Sequence, residues 1–337
     1  MVQRLIPAVL VVCLAASGIG ACSTDGGEAL TVYSGRNEEL IGPILERFAE
    51  DSGIDVDVRY GDSADLALLI DQEGDRTPAD VFISQSPGAA GFLAADGRLA
   101  VLGDDVVDAV PAEYRGPDGE WVGLTGRARV LVYNTDAISE SELPDSVLDV
   151  TAEEYRGRIG VAPANGSFQD FVSVLRDEVG DDGALEWLEG LVAIDAQTYA
   201  NNTAIVEAVG RGEIDIGLVN HYYNERVLDE DPDASSANHF FVEGDIGSTV
   251  LVTTGAIVEG TDVRDQADEL LEFLVSPTAQ EYFAEETLEY PLAFDVEPVT
   301  ALPPLETITA PPVDLAALGR DLEATKLLIE QSGLEQQ

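Results

Sequence analysis

From residue 29 onward the spacing of apolar positions alternates between strand-like and helix-like. Leu30-Thr31-Val32-Tyr33 is a β-rich run, Ser34-Gly35-Arg36-Asn37 is a turn ending on a good helix N-cap residue, and Glu38 to Ala49 repeats apolar residues at helical spacing. Alternation over Asp55 to Tyr60 predicts a strand, Ala64 to Glu73 a helix ending near Gly74, and Ala79 to Ser84 another strand before a helix opened by Pro87. The rhythm then restarts. Strands are expected at Arg129 to Tyr133, Arg158 to Ala162, Ile214 to Asn220 and Val250 to Thr253. Helices are expected at Phe168 to Glu178, Gly183 to Leu191, Asn202 to Gly210, from Tyr222, and at Arg264 to Leu274, Thr278 to Glu285 and Leu315 to Glu330, with the Pro-rich stretch Ala301 to Pro312 as a connection. Strands alternating with helices predict an α/β fold of mostly parallel sheet covered on both faces. Two such halves predict a ligand cleft between them, beside the C-terminal ends of strands.

The first 21 residues do not share this pattern. Arg4 supplies a positive region, Leu5 to Ala16 is almost wholly apolar, and the small residues Ser17 to Ala21 lead to Cys22. That is the layout of an export signal, and its apolar run is too short to span a bilayer as a helix. The plain reading is a secretory signal cleaved near Ala21. Ile19-Gly20-Ala21-Cys22 also fits a bacterial lipoprotein signal, residues 1–21, with Cys22 carrying the lipid and residues 22–28 serving as a small, polar tether. Beyond Cys22 the sequence has no cysteine, which excludes disulfides and Cys-based zinc or iron–sulfur sites from the folded part.

Charge narrows the partners. With 65 acidic and 17 basic residues the net charge is −48, and Lys326 is the single lysine, so clustered phosphate contacts to nucleic acid are excluded and anionic membrane surfaces repel the chain. Charged residues are only 24% and hydrophobic ones 45%, a composition that folds, and 337 residues suit two domains of roughly 100–200 residues each.

Enzyme signatures are thin. The sequence has two histidines, no GxSxG elbow, no glycine-rich phosphate loop followed by Lys and no HExxH, and Asp–Glu pairs carry no weight in so acidic a chain. The segment that stands out is Gly217-Leu218-Val219-Asn220-His221-Tyr222-Tyr223, where an apolar strand runs into adjacent tyrosines at a predicted cleft edge. Such a pair is commonly one ring in the core and one capped by a hydrogen bond. It is also a hard, anionic oxygen donor set: a trivalent cation displaces phenolic protons that otherwise leave near pH 10, and two phenolates favour ferric iron over softer divalent metals.

Several stretches together resemble the ferric-iron-binding proteins of the periplasmic-binding-protein class, the extracytoplasmic components of ABC iron importers. They are TVYSGRNEEL at 31–40, EGDRTPADVFIS at 73–84, LTGRARVLVYNT at 124–135, YRGRIGVAPANGSF at 155–168, YANNTAIVEAVGRGEIDIGLVNHYYNER at 199–226 and ETLEYPL at 286–292. The resemblance implies a two-lobed (type II) fold and puts the family's tyrosinate ligands on Tyr222 and Tyr223. The first-lobe positions depart from the pattern: Asn37 and Glu38 stand where relatives place His or His-Tyr, Gln85 where some place Glu, and Asn165 where others place Tyr. Glu38 is the remaining anionic donor there, and Asn37 suits a helix cap. Fe(III) prefers six donors in an octahedron, so the shortfall implies water or a synergistic carbonate or phosphate. Positions for that anion are Gln85, Ser86, Asn165, Gly166, Ser167, Asn202 and Asn220, with Arg36 and Arg127 able to face it. The implied lobes are 29–127 plus 253–303 and 128–252 plus 304–337, with an ABC permease and its ATPase as partners, a lipid anchor to the cell membrane and a monomeric chain. A receptor for an organic or phosphorus-containing anion without metal is the alternative.

Overall fold

The computed structural model describes residues 29–337 apart from 86, 295, 299–301, 309–312, 316, 319–321 and 337. The expected leader, Cys22, the tether to residue 28 and Ser86 lie outside the described residues.

The first series forms β1 (Leu30–Ser34), α1 (Glu38–Ser52), β2 (Val56–Tyr60), α2 (Ser63–Glu73), β3 (Val81–Ser84), α3 (Pro87–Ala95) and the short α4 (Asp104–Val107). Local chemistry sets its boundaries. Gly53 stops α1 in the left-handed conformation with φ 75°, and Asp62 caps α2 by accepting from Ala64 N at 2.9 Å. Asn37 holds the N-cap position of α1, yet its side chain makes no capping hydrogen bond.

The chain then enters β4 (Trp121–Asn134), followed by β5 (Ile159–Val161), α5 (Gly166–Ala193), β6 (Gln197–Thr198), α6 (Asn202–Gly210), β7 (Ile216–Asn220), α7 (His221–Glu230), β8 (Ser236–His239) and β9 (Val250–Ile257). It ends with α8 (Arg264–Leu274), α9 (Pro277–Glu285), β10 (Tyr290–Pro291) and α10 (Leu322–Ser332). The two helices expected at 168–178 and 183–191 run together as α5, broken at Gly180 with φ 76° and ψ 167°. The described part of the last helix starts at Leu322, not at Leu315.

The sheet order is β2-β1-β3-β9-β4-β7-β5-β6, with β8 and β10 also paired to β4. β1 is parallel to β2 and β3, and β5 is parallel to β6 and β7. Between these parallel flanks the pairs β3–β9, β9–β4 and β4–β7 are antiparallel. β4 joins the flanks: its residues 121–128 pair with β9, and from Arg129 to Tyr133 it pairs with β7. Only 129–133 reads as strand from the sequence, because Gly123, Thr125, Gly126 and Arg127 resemble a loop. The glycines are there for close packing, since a Cβ on Gly123 would stand 2.9 Å from the Tyr114 carbonyl oxygen and from Leu292 Cδ1. α10 packs on α5, where the Ser173 and Thr325 hydroxyls meet at 2.7 Å.

Candidate metal centre

β7 is buried along its whole length, and its last residue, Asn220, is the N-cap of α7. His221, Tyr222 and Tyr223 therefore occupy the first turn of a helix, where the positive end of the peptide dipoles favours anionic oxygen. Tyr222 is fully buried and Tyr223 is 8% exposed, and their rings stack at 4.2 Å between centroids with 30° between planes. A buried phenol resists ionisation: burial, then the neighbouring Tyr223, push the Tyr222 hydroxyl well above its ordinary range, while the cations Arg36 and Arg127 act against that rise.

His221 anchors the turn. The Ala128 N–H donates to its Nδ1 at 3.2 Å, which leaves Nε2 to carry the proton and donate to the Leu288 carbonyl at 3.0 Å. The ring thus ties the tyrosine turn to the stretch of β4 where its partners change and to the segment before β10. Burial pulls its pKa down to about 4, so the ring is neutral at pH 7.

Arg36 approaches from the other half. The turn after β1 is tight: a Cβ on Gly35 would stand 2.0 Å from Ser63 Oγ, so glycine is required there. Arg36 Nη1 donates to Tyr222 Oη at 3.2 Å, and Nη2 pairs with Glu289 at 2.6 Å. Arg127 donates through Nη2 to the Gln85 carbonyl and, at 3.1 Å, to the Val252 carbonyl, leaving Nε and Nη1 without a partner. Arg129 stands over the rings of Phe168 and Phe171, and Nη1 reaches Ser167 Oγ at 3.5 Å. Burial and then Arg127 bring its pKa down to about 9.

The amide and hydroxyl residues singled out from the sequence gather at the start of α5. Asn165 accepts from Ser167 N at 3.1 Å and from Ser167 Oγ at 2.6 Å, and Asn202 Nδ2 lies 3.4 Å from the same hydroxyl. A Cβ on Gly166 would meet nothing within 4 Å, so open space fronts this helix end. Asn220 is fully buried with neither amide atom paired, and Gln85 Nε2 is likewise buried and unpaired. Asn37 and Glu38 line a cleft of about 780 Å³ with Tyr60 on their own side and Asn201, Thr203 and Glu207 on the facing side. Arg36 is the residue common to that cleft and the tyrosine pair. Among the described residues no three His, Cys, Asp or Glu side chains assemble to hold a metal, so a metal here depends on the phenols.

Two residues of the site were not singled out from the sequence, Arg129 and Glu289, and His221 stood in the tyrosine segment without a role of its own. The available signal was charge in the wrong place, two arginines at 127 and 129 opening an apolar strand, and a glutamate beside Tyr290. Of Asp, Glu, Lys and Arg, the buried members among the described residues are Arg36, Arg127, Arg129, Asp170 and Glu289. A chain of net charge −48 thus buries three cations against two carboxylates, and Arg36, Arg127 and Glu289 of that set act on Tyr222.

Comparison with known proteins follows the same geography. The model of the bacterial extracellular solute-binding protein family matches residues 76–316. The major ferric iron-binding protein of Neisseria meningitidis serogroup B is 32% identical over 313 residues, 91% of this chain and 93% of that protein. The Fe(3+)-binding periplasmic protein of Serratia marcescens is 28% identical, with 94% of each chain covered. Iron-bound HitA from Pseudomonas aeruginosa superposes with a TM-score of 0.87 at 32% identity, covering 91% of this chain and 99% of that one. With the β4 crossover and the tyrosine turn inside residues 76–316, and 91% of the chain covered by a relative 32% identical, this two-lobed α/β chain belongs to the bacterial extracellular solute-binding protein family.

Proposed function

We propose that this protein captures ferric iron outside the cytoplasmic membrane, with carbonate or phosphate as a co-bound anion, and delivers it to an ABC permease driven by its ATPase. The observation that carries the reading is the stacked, buried Tyr222–Tyr223 pair on the first turn of α7. Two phenolates suit a hard trivalent ion, and the helix end supports their negative charge. Iron displaces both phenolic protons, which overcomes the burial that otherwise keeps Tyr222 protonated.

Charge supports an anion as the companion. The buried set carries one excess positive charge, from Arg36, Arg127 and Arg129 against Asp170 and Glu289. Adding a trivalent ion and two phenolates leaves two positive charges, which the Glu38 carboxylate and a co-bound anion together offset. Asn165, Gly166, Ser167, Asn202, Asn220 and Gln85 offer donors, and Arg127 keeps Nε and Nη1 unpaired. Arg36 is committed to Glu289 and Tyr222, so its part is at the tyrosine and not at the anion. Glu38 and Asn37 supply first-lobe oxygen once the cleft they line is shut, so binding favours closure.

The lobes are 29–127 plus 253–303 and 128–252 plus 304–337. The partner change in β4, the pairing of β10 with Gly126 and the packing of α10 on α5 support this division. The role is binding, not catalysis, by a monomer held to the membrane through lipid on Cys22. A metal-free receptor for an organic or phosphorus-containing anion is the second reading, favoured by the three buried arginines.

One experiment separates the two. Ferric citrate is added to purified protein in the presence of carbonate or phosphate. The ferric reading expects a visible tyrosinate-to-iron charge-transfer band that disappears in Tyr222→Phe and Tyr223→Phe. No band in the unaltered protein, with a thermal shift on adding the anion alone, would overturn it in favour of the second reading.

A further inference from the structure

We infer that Glu289 is a positioning residue that acts through Arg36 to hold a hydrogen bond on the Tyr222 oxygen, and so sets the strength and electronic character of that oxygen as an iron donor. The inference rests on the ferric reading.

The carboxylate is immobilised on every side. It is fully buried; one oxygen accepts from Thr125 Oγ1 at 3.1 Å and the other from Arg36 Nη2 at 2.6 Å, with Thr287 Oγ1 3.0 Å away sharing its single proton between this oxygen and the Phe283 carbonyl at 2.8 Å. Thr125 belongs to β4, and Thr287 and Glu289 to the link between α9 and β10, so two separate pieces of backbone fix the position. A guanidinium is a rigid plane, and fixing Nη2 fixes Nη1. Nη1 is thereby aimed at Tyr222 Oη, 3.2 Å away.

The direction of this bond carries the function. Arginine only donates, so the tyrosine oxygen must accept, and it accepts better as phenolate than as phenol. A phenolate bound to a metal retains a lone pair for this N–H. The guanidinium then orients the ligand, as partners of metal ligands do elsewhere, and, being a charged donor, it draws electron density from the oxygen. A buried ion pair is poor value as a stabiliser, because both ions must leave water. Its presence at the tyrosine is explained by placement: Arg36 and Glu289 come from one side of the cleft and Tyr222 from the other.

The test uses the full chain loaded with ferric citrate and carbonate, reading the charge-transfer band and the ferric affinity against citrate competition. Arg36→Met should move the band to longer wavelength and weaken ferric binding about 10- to 100-fold. Glu289→Gln should shift both readouts in the same direction. In the Arg36→Met background, Glu289→Gln should add nothing, because its effect passes through the arginine. The double variant removes both members of the Arg36–Glu289 pair and so strands neither, and it carries the comparison if Glu289→Gln alone fails to fold. An unchanged band and affinity in the double variant would overturn the inference, as would a Glu289 effect that persists without Arg36. Absence of a band in the unaltered protein instead sinks the ferric reading beneath it.

Discussion

His221 gives a prediction about stability that needs no ligand. Its Nδ1 accepts from Ala128 N–H and its Nε2–H donates to Leu288 O, so protonating Nδ1 would set one N–H against another in a fully buried site. Burial brings the folded pKa down to about 4, against 6.5 for the free side chain. As pH falls through 6.5 the unfolded chain takes up a proton that the folded chain refuses until near 4. Between those values the unfolded state binds more protons, so stability falls with falling pH, and the His221 contribution is complete only above 6.5. At about 1.4 kcal/mol per pH unit the whole interval is worth about 3 kcal/mol. Urea unfolding of metal-free protein at about pH 7.5 and about pH 4.5 should show the unaltered chain losing about 2–3 kcal/mol more than His221→Gln. The many carboxylates, and His239, titrate in both proteins and cancel in the comparison. Parallel losses in the two proteins would refute the claim that burial and two fixed backbone partners keep this ring neutral.

Two more outcomes follow from packing and capping. Gly217→Ala should destabilise the protein by about 1–3 kcal/mol in thermal or urea unfolding, because the new Cβ would stand 2.2 Å from Ile205 Cγ2 in the core behind the tyrosines. Asn165→Ala should cost about 1 kcal/mol of stability through the lost cap on Ser167 N, and should weaken the dependence of ferric binding on added carbonate or phosphate, measured by titration at several anion concentrations.

Much of the architecture was legible in the chain because its causes are local. Asp62 and Ser276 cap helices, Gly53 ends one, and alternating or continuous apolar runs mark β1, β2, β3 and β7. β4 was half missed for a physical reason. Residues 121–128 are buried from both faces, so glycine, threonine and arginine sit there for close approach and distant partners, and local periodicity carries no sign of it. The Asn37 cap failed for a related reason: residue type gave the position, but the side chain makes no capping bond.

The sequence by itself determined the α/β class, the acidic exterior that turns away nucleic acid, and the adjacent tyrosines at a strand end. Each depends on residue type and spacing, which need no partner from elsewhere in the chain. Only the tertiary structure decided what surrounds the tyrosines. Arg36 and Glu289 are 253 positions apart, and His221 and Ala128 are 93 apart, yet both pairs meet at one buried turn. A charge is tolerated in an apolar interior only when a counter-ion or fixed carbonyl acceptors meet it there, and the fold alone brings residues so far apart in sequence to that place.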